Sequence, residues 1–215
     1  MNSFFSFLFI LASLITGQTQ SHTLDFPDYH LTFTYPNICQ AQKSSPQEDA
    51  IVTYTFDCKN NDQKNLYSLS ITDLNTVTKY ATARDGEPQC YCEAESCCSE
   101  FSASNYIKNY KLAEKSIKNP QKNTSSPTIR YQWGTTEIEN YNGINYLVTM
   151  ATRHPESGDS YLLFQTYINN YELSVKYGFG TDFEEWYHGN GQELEKQFFK
   201  TARTDFKQLK LESIK

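Results

Sequence analysis

The chain is short of the features that would place it at a glance. Beyond residue 15 no run stays apolar for the roughly 18 residues that a membrane-spanning helix needs. Positive charge is scarce, with 19 Lys and Arg against 25 Asp and Glu and a formal charge of -6. Nucleic-acid affinity rests on cations neutralising phosphates, so no nucleic-acid partner is expected. Catalytic signatures are missing as well: there is no G-x-S-x-G elbow, no G-x-x-x-x-G-K-[ST] phosphate loop, no dinucleotide fingerprint and no H-E-x-x-H. The YGFG at 177–180 lacks a third glycine and reads as a strand-ending bend. The four histidines, His22, His30, His154 and His188, are scattered without a ligand spacing; His154 and His188 read as exposed loop residues, and His22 falls near a mature terminus. No cofactor and no metal are implied.

What is present begins at the N-terminus. Phe4 to Ile15 (FFSFLFILASLI) is a run of twelve that is apolar apart from Ser6 and Ser13, followed by Thr16, Gly17, Gln18, Thr19, Gln20 and Ser21. That length suits the core of a secretory signal peptide and is short for a membrane span. No Lys or Arg precedes the run, so the terminal amine is the sole positive charge ahead of it. Residues 1–21 are therefore read as a signal peptide, cleaved after Gly17 or Ser21, with a buried N-terminal helix or a retained anchor as alternatives. Residues 22–215 are then one domain, secreted or periplasmic, without a membrane span after cleavage.

All six cysteines, Cys39, Cys58, Cys90, Cys92, Cys97 and Cys98, lie downstream of that segment. An even count in an exported chain reads as disulfides. Cys39 ends one strand-like run and Cys58 the next, which makes them the first pair expected. The other four crowd into a Cys-rich loop at 90–98 (CYCEAESCC) and would pair among themselves, Cys97 and Cys98 with separate partners, since a vicinal bridge is strained. Four thiolates there could instead hold Cu(I) or Zn(II), or form a redox-active pair. The spacing does not match paired C-x-x-C knuckles, and structural bridges are the expectation.

Alternation of β-branched or aromatic with polar residues predicts strands at Leu31–Tyr35, Ile51–Phe56 and Leu66–Ile71, then at Thr128–Glu139, Ile144–Thr152, Tyr161–Ile168 and Tyr171–Tyr177. The later connectors, Asn140–Gly143, His154–Asp159 and Asn169-Asn170, are short, so these four strands should form an antiparallel meander. Leu194, Phe198, Ala202, Phe206 and Leu209 make one stripe of a helix over Gln192–Leu211, with acids at its start and bases toward its end. A second helix is read over Ser102–Lys118, on the face of Ile107, Tyr110, Ala113 and Ile117, stopped by Pro120. At Leu74–Ala83 the β-branched Thr76, Val77 and Thr78 argue against more than a helical turn. The polar segment at 119–127 is a surface connector. With 16 Tyr, 14 Phe and 2 Trp, the core should be rich in rings.

This order resembles the PsbP-like α/β/α sandwich family. The residues that carry the likeness are Phe33, Tyr35 and Pro36 in the opening strand, Asn142 and Gly143 at a turn, YINNYELSVKY at 167–177, and Phe198 to Leu209 in the last helix. The resemblance implies an α+β fold, an antiparallel sheet meander flanked by helices, and a binding or assembly module more often than a catalyst. CYCEAESCC has no counterpart in that pattern, and no functional residue is carried over. A lipocalin-like β-barrel with a C-terminal helix is the alternative, against which stand the length of the last helix and the lack of an opening Gly-x-Trp.

Two further segments are candidates for contact. FEEWYHGNG at 183–191 offers Trp186, Tyr187 and His188 as ligand contacts beside Glu184 and Glu185, whose carboxyls would be the acid-base groups of a small hydrolase. Helix-start packing under Trp186 is the plainer reading. Asn123-Thr124-Ser125 is an N-glycosylation sequon in the polar connector. The expectation is thus an exported non-enzymatic module for an unknown protein or small-molecule partner, with a thiolate metal carrier built on 90–98 as the alternative.

Overall fold

The computed structural model describes residues 21–45, 50–60, 63–90, 98–120, 134–151, 160–179 and 189–214. Along them run β1 (Ser21–Phe26), β2 (Leu31–Pro36), β3 (Cys39–Ser44), β4 (Val52–Asn60), β5 (Gln63–Asp73), α1 (Leu74–Arg84), β6 (Pro88–Cys90), β7 (Cys98–Glu100) and α2 (Ala103–Lys118). Then come β8 (Gly134–Tyr141), β9 (Ile144–Ala151), β10 (Ser160–Ile168), β11 (Tyr171–Phe179), α3 (Gly191–Phe206) and β12 (Lys210–Ser213). The signal-peptide segment to residue 20, the Cys92 and Cys97 positions, Asn123, His154 and residues 184–188 lie outside the described residues.

Turn chemistry sets the meander. Asn142 and Gly143, with φ of 53° and 83°, close the β8–β9 hairpin, and Asn169 and Asn170, with φ of 52° and 68°, close β10–β11. Positive φ at both central residues gives the turn twist that matches two antiparallel strands, and Asn and Gly adopt it most readily. Among the described residues seven strands form one antiparallel sheet in the order β3-β4-β5-β11-β10-β9-β8. The two meanders meet where β5 pairs with β11. Strands β3 and β8 are its two edges, so this sheet is open and does not close as a barrel.

The core lies on one face of that sheet. Phe56, Tyr67, Leu69, Ile71, Val148, Phe164, Leu173 and Val175 meet Phe199, Ala202 and Phe206 of α3 and Leu31, Phe33 and Leu211 of a small sheet ordered β1-β2-β12. Phe206 stacks on Phe164 with centroids 3.7 Å apart and planes at 3°, while Tyr141 and Tyr146 meet its ring edge-on at 5.0 and 4.9 Å. Arg203 of α3 reaches Glu139 of β8, Nε to Oε1 at 3.0 Å, and the Ser160 hydroxyl donates to the buried Glu195 carboxylate. The other face carries α1 and α2, with Ala113 and Ile117 packed on Leu147. The result is a layered α+β sandwich. Among the described residues no helix is long and apolar enough to cross a membrane.

Several expectations need correcting. The last helix stops at Phe206 instead of Leu211, and its stripe continues as β12, where Leu211 pairs opposite Phe33. Cys39 begins β3 instead of ending a strand. The segment after Leu74 is a full helix to Arg84: the Asp73 carboxylate caps it by accepting from the Thr76 amide, and Thr78 and Thr82 hydroxyls return hydrogen bonds to the carbonyls of Leu74 and Thr78. Those local bonds offset the poor helix propensity of β-branched residues. Strands β1, β3 and β12, at the sheet margins, had no expected counterpart.

Candidate functional site

Where the inner ends of β5 and β11 leave the sheet, β5 runs straight into α1 at Asp73, and the Asn169-Asn170 turn carries Tyr171 opposite Asp73. One turn of α2 passes above them, presenting Tyr110 and Glu114. These segments enclose a cleft of about 440 Å³ on the helix-covered face of the sheet. Its described lining includes three carboxylates, Asp73, Glu114 and Glu172, three phenols, Tyr110, Tyr167 and Tyr171, and no lysine, arginine or histidine.

Each group is held. Glu172 is buried to 4% exposure, and a carboxylate out of water needs donors to offset its lost hydration. Tyr167 supplies one, its hydroxyl donating to Oε2 at 2.7 Å, and Gln165 the other, Nε2 to Oε1 at 3.2 Å. Alternation explains the trio: Gln165 and Tyr167 share one face of β10, and Tyr167 and Glu172 are register partners. Glu114 accepts from Lys118 one helical turn on, at 2.6 Å. Asp73 caps α1. The Asn169 side chain donates to the His30 carbonyl at 3.1 Å and to Ser213 Oγ at 2.9 Å, tying the turn to the small sheet. Tyr29 lies with its ring 5.0 Å from that of Tyr171. Burial, then Asp28, Tyr171 and Asp73, raises the Tyr29 phenol above its ordinary value. The cleft is negative, hydrogen-bonding and walled in part by rings, which suits a cationic or donor-rich group.

None of these residues was expected as a site residue from the sequence, where Tyr110 reads as a helix face and Tyr167, Tyr171 and Glu172 fall in the 167–177 stretch that carries the family likeness. The candidates Trp186, Tyr187 and His188, like Glu184 and Glu185, lie outside the described residues, as does Asn123. Of the histidines, His22 is exposed on β1 with its ring 5.6 Å from that of Tyr35, and His30 follows a short 3-10 turn with φ of 53°. The structure does not bring them together. Cys39 and Cys58 are joined by a disulfide. Cys98 is also disulfide-bonded, and its Cα partner across the β6–β7 hairpin is Cys90. Among the described residues no group of three or more His, Cys, Asp or Glu is arranged to hold a metal ion.

No protein-family model and no curated protein matches the chain. Among solved structures it is similar to the solution structure of cyanobacterial PsbP (CyanoP) from Synechocystis sp. PCC 6803, at 12% identity over 92% of this chain and 95% of that one, with a TM-score of 0.38. It is also similar to a crystal structure from Bacteroides thetaiotaomicron, at 8% identity over 89% of this chain and 48% of that one, with a TM-score of 0.37.

Proposed function

We propose that the chain is an exported, non-enzymatic binding module, a single domain once residues 1–21 are removed, and that its ligand seats a cationic group in the cleft between α2 and the β10–β11 turn. The observation that carries this reading is the lining itself: Asp73, Glu114 and Glu172 among three tyrosines, with no cation among the described lining residues. An ammonium or guanidinium group gains charge-assisted hydrogen bonds from the carboxylates and a favourable approach to the rings. Lys118 shows the chemistry within the chain, its ammonium on Glu114. A small molecule or a basic side chain of a partner protein would supply such a cation equally well. Export is supported by the Cys39–Cys58 bridge and by the bonded state of Cys98, since disulfides persist in oxidising compartments. The thiolate-carrier reading loses support from Cys98, whose sulfur is not a free ligand.

The test is calorimetric titration of the mature chain with spermidine and with an arginine amide, against a neutral amide of similar size. Binding should weaken with salt and fall at least about tenfold, roughly 1.4 kcal/mol, in a Glu114→Gln, Asp73→Asn double variant. Asn also caps helices, so the second change spares α1. Unchanged affinity in that variant, or turnover of a substrate by the purified chain, overturns the reading.

A further inference from the structure

On the opposite face of the sheet, about 20 Å along β5 from the cleft at a strand rise of about 3.3 Å per residue, a second cavity of about 180 Å³ lies beneath the end of α3. Tyr67 and Tyr177 form part of its wall. They are direct register partners on β5 and β11, their rings stack at 5.0 Å, and they are 4% and 2% exposed. Neither hydroxyl oxygen has a hydrogen-bond partner. A buried hydroxyl without a partner is destabilising, so native chains seldom keep one, and two side by side call for an acceptor that the protein itself does not supply. Asp205, from the last turn of α3, lines the same cavity.

We propose that this cavity is a binding site for a small neutral polyol, one of whose hydroxyl oxygens accepts hydrogen bonds from Tyr67 and Tyr177. Three charge states of ligand are weighed by the same residues. An anion would accept from both phenols but faces the Asp205 carboxylate and the negative end of α3. A cation would suit Asp205 and leave both phenolic protons unmet. A neutral hydroxyl accepts from the phenols and donates its own proton onward, and so satisfies both phenols without adding charge beside Asp205. Burial, reinforced by Asp205, keeps both phenols well above their ordinary value, so they remain donors across the physiological range. The volume has room for several waters at about 30 Å³ each, or for one molecule between glycerol and a monosaccharide in size. Both hydroxyl oxygens are buried, so engagement requires a side chain of the lining to move aside, and Ile38 and Gln208 are exposed residues of that lining.

The experiment is a titration of the isotope-labelled mature chain with glycerol, D-glucose, acetate and methylammonium, followed through the ring signals of Tyr67 and Tyr177. Saturable shifts are expected with glycerol or glucose, weakened at least tenfold in Tyr67→Phe and in Tyr177→Phe, while the ligand-free unfolding midpoint of each variant stays level or rises. The Asp205→Asn variant, which leaves both tyrosines in place, should retain the polyol and begin to accept acetate. Three results overturn the proposal: no saturable shift with either polyol, stronger binding of acetate or methylammonium than of polyol to the unaltered chain, or phenylalanine variants that lose ligand-free stability because a permanently bound water had satisfied the hydroxyls.

Discussion

Cys39 and Cys58 face each other as direct register partners on β3 and β4 and are joined through their sulfurs. Among the described residues strand β3 is an edge of the large sheet, paired along one side only, and its residues are largely polar, with Cys39 alone buried. The bridge therefore fastens a strand that burial alone holds weakly.

Replacing both cysteines by serine is expected to lower stability by about 2 to 4 kcal/mol, since the cross-link closes a segment with a sequence separation of 19. Urea unfolding measures the loss. Amide exchange should rise first in β3 and not in β10 or β11, and a uniform rise would show that β3 is not a separable unit.

Much of the scaffold was legible because its signals are local. NG and NN between alternating runs specify the β8–β11 meander, and the stripe through Ala202 and Phe206 specifies α3. The stripe misled at its end: Leu209 and Leu211 continue an apolar spacing past Phe206 with no Gly or Pro to stop the helix, yet Leu211 is placed by pairing with β2, more than 170 residues earlier. Strands β1 and β3 are polar edge strands, where period-two burial is faint. The cleft was not legible at all. Asp73, Glu114 and Glu172 come from three separate elements and are brought together by α2 crossing the sheet, which no spacing along the chain records.

Phe206 sits flat on Phe164 and is enclosed edge-on by Tyr141 and Tyr146. Phe206→Ala removes a ring that joins α3 to β8, β9 and β10 at once. A loss of about 3 to 5 kcal/mol is expected in chemical denaturation, with Phe206→Leu costing clearly less. Equal losses for the two would show that ring packing contributes nothing beyond apolar volume.

Four buried tyrosines govern the alkaline limit. Burial raises the phenols of Tyr67, Tyr146 and Tyr177 above the ordinary 10.0, and burial together with a hydrogen bond donated to Glu139 raises Tyr141. A phenol whose value is raised by folding stabilises the native chain fully below pH 10, and that contribution is lost as pH climbs above 10 toward the folded value. Unfolding midpoints should thus show no dependence on these groups at neutral pH and fall steeply above about pH 10. Absorbance titration should show a set of phenols that ionise only as the chain unfolds. Reversible ionisation of all 16 tyrosines near pH 10 in folded protein would refute it.

The Tyr167 to Glu172 hydrogen bond is the structural support of the negative cleft. Its acceptor is a buried carboxylate, and removing the donor takes a charge-assisted hydrogen bond from Oε2 in a site where water is a poor substitute. Tyr167→Phe should therefore cost about 1.5 to 3 kcal/mol, more than a neutral hydrogen bond of the same length would. Glu172→Gln removes the charge that the hydroxyl was serving, so the second change made in the Tyr167→Phe background should cost less than it does alone. A double-mutant cycle by urea unfolding is expected to give a coupling of about 0.5 to 3 kcal/mol between the two positions. Strict additivity would mean that the carboxylate is satisfied without Tyr167.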